Sequence, residues 1–454
     1  MYVLLIKQFL RSKVVVLTFG LLLILGALSI GTGKQFLKQK EFAIAKTITE
    51  QKKHIATETQ FHKDDIGLLL YYLKFSFINE LEPLAGISIG QSDLNSHIQN
   101  VKILNLEGQK YDTDLVNPMR LQVGNLDVSF LIIFLFPLVI IALTFNVLSE
   151  EIEKGTWKII AIQGKAPFQL LLQKLSIRFL FVFIILSLLF LISAFVLNIH
   201  FSTSLMQMYI LSFLYILFWF SVCFCVMVFK KSSNTNAIIL LTCWLVLVVF
   251  LPVVVNNFVT NKYPVDEAFS MTIKQRDEYH KRWDTDKKAT MIKFYEHYPQ
   301  FSKYKLKEEG FSWLWYYAMQ QMGDDESKTE REAMYNKIEK REYLSKQIAQ
   351  FFPPLQVQLA MNDIANTSLT HQVQFLNATT VFHEDLRLGF YPKIFDNDAV
   401  SSVNWKEYKP DIFKPKNDFS ILKNVVYLVF SIIILIGLGT LIYFKPNSGL
   451  AIKN

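Results

Sequence analysis

Cysteine is scarce: the 454 residues hold three, Cys223, Cys225 and Cys243, all inside long apolar runs. No disulfide can staple the polar stretches, which must hold themselves by their own cores. Cys223 and Cys225 lie two apart on an expected helix and point to different faces, so they make a poor metal site. No G-x-x-x-x-G-K-[S/T] run is present, which excludes the usual loop for cradling nucleotide phosphates. No H-E-x-x-H is present either: His383-Glu384 has no second histidine at zinc spacing, and the eight histidines are scattered. Gly86-Ile87-Ser88-Ile89-Gly90 matches G-x-S-x-G literally, but Pro83 just upstream argues against the strand that a nucleophile elbow needs, leaving a glycine-flanked turn. Met206 and Met208 read as lipid-facing residues and not as a soft-metal pair. Asn366-Thr367-Ser368 and Asn377-Ala378-Thr379 match glycosylation triplets, which matter only in a glycosylating secretory pathway. No complete nucleophile–base or metal constellation remains, so catalysis is not expected in this chain.

A further lack is more informative. Six apolar runs contain no Asp, Glu, Lys, Arg or His: Val14–Ile30, Val128–Leu148, Phe179–Leu197, Tyr209–Phe229, Ala237–Val255 and Val425–Phe444. A bilayer core needs roughly 20 apolar residues in a helix. Composition agrees, with 52% hydrophobic residues and 39 Phe, too apolar for an ordinary soluble enzyme. The first run is short and is expected to extend into its flanks. Pro137 and Pro252 fall inside spans, where neighbours must satisfy the carbonyls they free. Spans without ionisable residues argue against a proton relay or a dedicated small-ion path.

Charge sets the expected orientation. The chain carries a net charge of +8, and the basic excess lies in the segment before span one, the loop 149–178, the pair Lys230-Lys231 and the tail after span six. The stretches 31–127 and 256–424 are close to neutral. By the positive-inside rule, both termini and the loop 149–178 face the cytoplasm and the two large regions face outward. The basic balance is thus topological and gives no reason to expect nucleic-acid binding.

The expected fold is a mainly α membrane protein with a small β part in the first outer region. Residues 1–30 form an interfacial helix and span one, with Leu4, Leu5 and Phe9 facing lipid and Lys7 and Arg11 near headgroups. A cleavable signal peptide fits less well, since the apolar run is long and Ala27-Leu28-Ser29 is a weak cleavage site. Region 31–127 continues helically from about Lys34 to Tyr72, then carries a strand at Val101–Gly108. Residues 128–255 hold spans two to five. Region 256–424 is mostly helical, with charged helices at Val265–Lys293 and Asp325–Phe352 and a helix started by Pro353-Pro354. Ala399–Lys416 is an irregular return, and 425–454 hold span six and a tail. No fixed-period repeat or low-complexity linker interrupts this order.

One stretch stands apart: "LSEEIEKGTWKIIAIQGKAPFQLLLQKL", Leu148–Leu175, between spans two and three. Glu150, Glu151 and Glu153 fall in the first turn of an expected helix, where carboxylates complement the dipole. Ile152, Ile159 and Ile160 share its apolar face. Gly164 ends it, and Pro167 starts a second helix with the stripe Phe168, Leu171, Leu172 and Leu175. The pattern describes a helix–break–helix lying along the membrane surface, with Gly155 as a mid-helix glycine permitting close backbone approach.

An acidic cluster, Gly-Thr, an apolar run and a proline turn between spans two and three resemble the coupling element of type-2 ABC exporter permeases. The matching positions are Glu151, Glu153, Gly155 and Thr156. Glu82–Asp93, Asn117–Phe130 and Pro353–Phe375 look like a subfamily with two large outer insertions. Trp157 stands where a smaller aliphatic residue is usual, and Asn366 where glycine is expected before Thr367. The resemblance implies six spans with an elbow helix before span one. It implies a cytoplasmic coupling surface of Glu150, Glu151, Glu153, Lys154, Gly155, Thr156, Trp157, Gly164 and Pro167. It also implies a separate ABC ATPase subunit that binds the ATP, a second permease subunit (identical or not), and a plasma (bacterial inner) membrane location. The expected function is export of an unidentified cargo, with amphipathic, lipid-like and peptide molecules suited to such spans. The alternative is a membrane-anchored receptor or mechanotransmission subunit whose outer domains bind a ligand or partner.

Overall fold

A computed structural model of the chain describes residues 2–110, 125–157, 167–267, 286–306, 310–415 and 419–445, with single positions between 270 and 284. It is mainly helical, and six helices are long and apolar enough to cross a membrane: Lys13–Phe61, Val128–Glu153, Pro167–Val196, Thr203–Met227, Ser233–Lys262 and Leu422–Phe444. These are spans one to six below. Spans two and four form the centre, with 67% and 72% of their apolar windows buried, against 17% for spans five and six.

Span one is far longer than a bilayer core needs. No breaker interrupts it, so it continues as one 49-residue helix, about 73 Å long at 1.5 Å per residue. A shorter helix, α1 (Tyr2–Leu10), precedes it. Gly33 permits a close approach: a Cβ there would sit 2.0 Å from the Gly86 carbonyl oxygen. After the long helix, Asp65 caps α2 (Ile66–Tyr72) by accepting from the Leu68 amide at 3.0 Å.

Both intramembrane prolines sit where a π stretch hands over to α-helix. Leu131–Leu135 is a π-helix followed by Phe136-Pro137, and Leu245–Phe250 is one followed by Leu251-Pro252. The wider π turn places the residue without an N–H at the restart of the helix. Tyr215 donates its hydroxyl to the Ile133 carbonyl at 2.9 Å, the acceptor four residues before Pro137. Trp244 donates its indole N–H to the Phe134 carbonyl at 3.0 Å. Span two then turns at 145–148 into α3 (Ser149–Glu153).

The two large polar regions share one core. Ile66, Leu69, Phe75 and Ile103 from the first pack with Phe294, Trp315, Tyr317, Phe390 and Tyr391 from the second. The strands also join them. β1 (Phe75–Ile78) lies between β2 (Ile98–Val101), antiparallel, and β3 (Asp411–Ile412), parallel. The strand expected at Val101–Gly108 thus ends where it was to begin. Beyond Val101 the backbone donors are taken by side chains and no ladder forms: Asn105 donates to Gln320 and Leu106 to Asp324.

The second region contributes α4 (Lys287–His297), α5 (Trp313–Ala349), α6 (Pro353–Ile364) and α7 (Leu369–Phe395). α5 starts earlier than expected, because Ser312 caps it by accepting from the Trp315 amide. Parts of the first expected helix, Val265–Lys293, and of Asn117–Phe130 lie outside the described residues. α6 starts at the two prolines as read. Its Val357, Ala360, Met361 and Ile364 are buried in the same core as the spans. α6 packs on spans four and six and touches the π stretches of both spans two and five.

Candidate functional site

The acid-fronted stretch is built into the bundle end by its carboxylates. Ser149 is buried, its hydroxyl 2.8 Å from that of Ser233. Glu150 accepts from the Asn146 side chain at 3.0 Å and pairs with Lys154. Glu151 pairs with Lys174 of span three and accepts from the Thr156 hydroxyl. Glu153 accepts from the Ser233 amide at 2.8 Å and its hydroxyl at 3.0 Å, at the first turn of span five. The three acids therefore do more than complement their own helix dipole: one ties α3 to span three and another to span five.

Two details of the sequence reading need correction. Gly155 is not a mid-helix glycine. α3 ends at Glu153, the Gly155 amide donates to the Ile152 carbonyl, and Gly155 has φ +72°, the left-handed conformation that ends helices. Among the described residues no atom beyond its chain neighbours lies within 4 Å of where its Cβ would be, and its left-handed backbone is what favours glycine. The second arm is also not a separate surface helix. Pro167 starts it, but with no breaker following, Phe168, Leu171, Leu172 and Leu175 run directly into the 30-residue span three. Ile159, Ile160 and Gly164 lie outside the described residues. Trp157 is half-buried against the bundle core.

α1 gathers at the same end. Phe9 is buried, 5.5 Å ring to ring from Phe181, and the Arg178 guanidinium lies 5.3 Å over the Phe9 ring. Phe9 therefore faces span three and not the lipid expected of it. Arg178 also donates to the Leu143 carbonyl at 2.7 Å, joining spans two and three. Among the described residues of α3 and its end, Glu150, Ile152, Glu153 and Lys154 keep exposed side chains.

At the opposite end, three sequence-distant segments meet. Ser88 donates to Asn362 at 2.7 Å, Thr367 donates to the Ser88 carbonyl, and the Ser129 amide donates to the Ile87 carbonyl. Ser88 is fully buried, so it is a structural turn residue and not a presented nucleophile. Asn366, standing where glycine was expected, has φ +56°, which asparagine tolerates. Asp127 caps span two, accepting from the Phe130 amide at 2.7 Å and the Ile89 amide at 2.8 Å. Its burial pushes the carboxyl up to about 6.

Further from the spans, buried Arg387 locks the two large polar regions together. It pairs with Asp324 at 2.7 Å and donates to the Ile103 and Leu104 carbonyls. Glu107 pairs with Arg331 at 2.7 Å and with buried Lys110. Burial raises the Asp324 carboxyl and lowers the Lys110 ammonium. None of these groups stood out in the sequence, since the contacts that join the two regions, Asp324 to Leu106, Arg331 to Glu107 and Arg387 to Ile103, each span more than 200 residues. No group of three or more His, Cys, Asp or Glu among the described residues is placed to hold a metal.

Among known proteins, residues 270–410 match the family model described as "Domain of unknown function (DUF3526)". The matched segment covers α4 to α7 and stops just before β3. It is similar to that family over less than half of the chain. No curated protein and no solved structure matches the chain.

Proposed function

We propose that this chain is the membrane-spanning permease subunit of an ATP-driven type-2 ABC exporter. A separate ATPase docks at the end formed by α1, α3 and the first turns of spans three and five. That end is cytoplasmic, both termini lie on its side, and a second permease subunit completes the membrane unit. The observation that carries this reading is the cross-bracing of α3: Glu151 to Lys174 and Glu153 to Ser233. A push on the exposed Glu150–Lys154 face is thereby delivered to three spans at once. ATP binding in the partner does work here only if α3 is contacted differently in the two states of the ATPase. The π stretches give spans two and five places to bend, since sharp helix kinks occur at π-bulges and prolines.

A second reading, a mechanotransmission subunit, is favoured by α6. This helix belongs to the outer body yet packs on both π stretches and on spans four and six. Movement of the bundle would then be passed to the outer body with nothing crossing.

Cysteine labelling tests the orientation. In a background lacking the three native cysteines, Lys46→Cys and Lys288→Cys label with an impermeant thiol reagent on intact cells. Lys154→Cys and Lys231→Cys label only after permeabilisation, and Lys154→Cys is shielded when the ATPase is bound. All four positions are exposed, whereas Lys110 is buried and a poor reporter. Labelling of Lys154→Cys from outside contradicts the proposal.

A further inference from the structure

A cavity of about 420 Å³ opens where the outer body meets the start of span six, between α5, α6 and α7. It holds no strong charge of one sign. Lys346 is neutralised by Asp363 at 2.8 Å and Glu342 at 3.1 Å. His371 is held neutral by burial, which lowers it to about 4, with its Nε2 3.1 Å from Asn79 Oδ1. Lys423 lies at the rim, where span six begins.

Its distinguishing feature is carboxamides. Gln347, Gln350, Gln356, Gln374, Asn366 and Asn424 all line it. Gln356 is 2% exposed and sits on α6. Its Nε2 donates to the Asn424 backbone carbonyl at 3.1 Å, which fixes the orientation of the amide, since that carbonyl can only accept. Gln356 Oε1 is then left buried with no donor among the described residues, an arrangement that calls for an explanation in a native protein. Gln347, Gln350 and Gln374 make no side-chain hydrogen bond among the described residues. Tyr343 and Phe419 add aromatic rings to the wall.

We infer that this cavity binds a neutral polyhydroxylated unit, one or two sugar rings. Gln347, Gln350 and Gln374 each offer a donor and an acceptor side by side, the pattern of vicinal hydroxyls, and Gln356 Oε1 adds a further acceptor. The aromatic rings offer apolar faces to the sugar C–H groups. A strongly anionic ligand would meet Asp363, and a cationic one would meet Lys346 and Lys423. The cavity size suits a small polar ligand, and its place beside the first turn of span six allows two sources, a free saccharide or the head of a glycosyl lipid. Because α6 forms one wall, occupancy would bear on the helix that touches both π stretches. The inference does not depend on the exporter reading, since it concerns the chain alone.

The test uses the purified full chain in nanodiscs. One arm titrates free glucose, galactose, rhamnose, N-acetylglucosamine and maltose by saturation-transfer NMR. The other compares nanodiscs of phosphatidylcholine with and without monoglucosyl-diacylglycerol, reading thermal stabilisation. Saturable binding in either arm is expected, weakened about tenfold or more in Gln350→Ala/Gln374→Ala, as the loss of two hydrogen bonds implies. Both positions are half-exposed, so the melting temperature without ligand should hold and loss of binding reads the site. Binding only in the second arm assigns the ligand to a lipid head, and binding in the first to a free sugar. The inference is overturned by no saturable binding in either arm, or by binding that the double substitution leaves unchanged.

Discussion

Glu153 gives both carboxylate oxygens to Ser233, 80 residues further on: one accepts from its amide at 2.8 Å and the other from its hydroxyl at 3.0 Å. An acid at the end of α3 thus caps the first turn of span five, beside the Ser232 hydroxyl that accepts from Thr235. Removing such a cap costs about 0.5–2 kcal/mol. Glu153→Ala should lower the melting temperature measurably, and Glu153→Lys should lower it further by placing a cation at a helix N-terminus. Intrinsic fluorescence melts in detergent give the comparison. An unchanged melt in Glu153→Ala would mean that the brace does not bear on stability.

Gly155 makes a prediction of opposite form from the one its sequence context suggests. At φ +72° a side chain is strained, by about 1–2 kcal/mol for most residues, although no atom of the described residues beyond its neighbours stands near. Gly155→Leu should therefore destabilise the turn despite its better helix propensity, and Gly155→Asn should be tolerated. Equal melting temperatures for the two variants would reject the conformational explanation.

Tyr215 and Pro137 should be thermodynamically coupled. Tyr215→Phe removes the donor to the Ile133 carbonyl, and leaving a buried acceptor unpaired costs about 1–3 kcal/mol. In Pro137→Ala the restored amide supplies a donor within the helix, so the same substitution should cost less there. A double-mutant cycle by thermal or denaturant unfolding in detergent measures the difference. Strict additivity would show that the hydroxyl does not serve the proline gap.

The spans were legible because lipid exposure demands long runs without charge, and the helix start at Pro353 because proline fits the first turn. Other features depend on pairings that no local pattern records. β1 finds β3 over 300 residues away, and Arg387 organises Ile103 and Leu104 across four spans. The π stretches are as apolar as the helix around them, so only the following proline hints at them. For the acid-fronted stretch, composition located the element, while the roles of Glu151 and Glu153 rest on Lys174 and Ser233, neither adjacent in sequence.

His371 should make the large polar body acid-sensitive. Burial lowers its imidazole from 6.5 to about 4, so the folded state holds it neutral. A depressed folded value gives stability that is present above pH 6.5 and lost as pH falls toward 4. Asp127, raised from 3.8 to about 6, acts in the opposite sense over an overlapping range. The difference between wild type and His371→Gln isolates the histidine. Melting temperatures should converge, or the variant should overtake, as pH falls from 6.5 to 4. A constant gap across that range would contradict the neutral buried histidine.

The most direct measurement concerns Glu150, the acid of α3 that faces outward and braces no other span. Glu150→Lys should leave the melting temperature of the purified subunit close to wild type, because its partners are local. At a partner surface, like charges brought together cost several kcal/mol. Tagged wild-type chain, purified from native membranes in mild detergent, should carry an ATPase subunit with vanadate-sensitive hydrolysis. Glu150→Lys should lose that subunit, or retain it with hydrolysis no longer responsive to the permease. The account is contradicted if wild type carries no ATPase, or if Glu150→Lys carries it in equal amount with equal permease-dependent turnover.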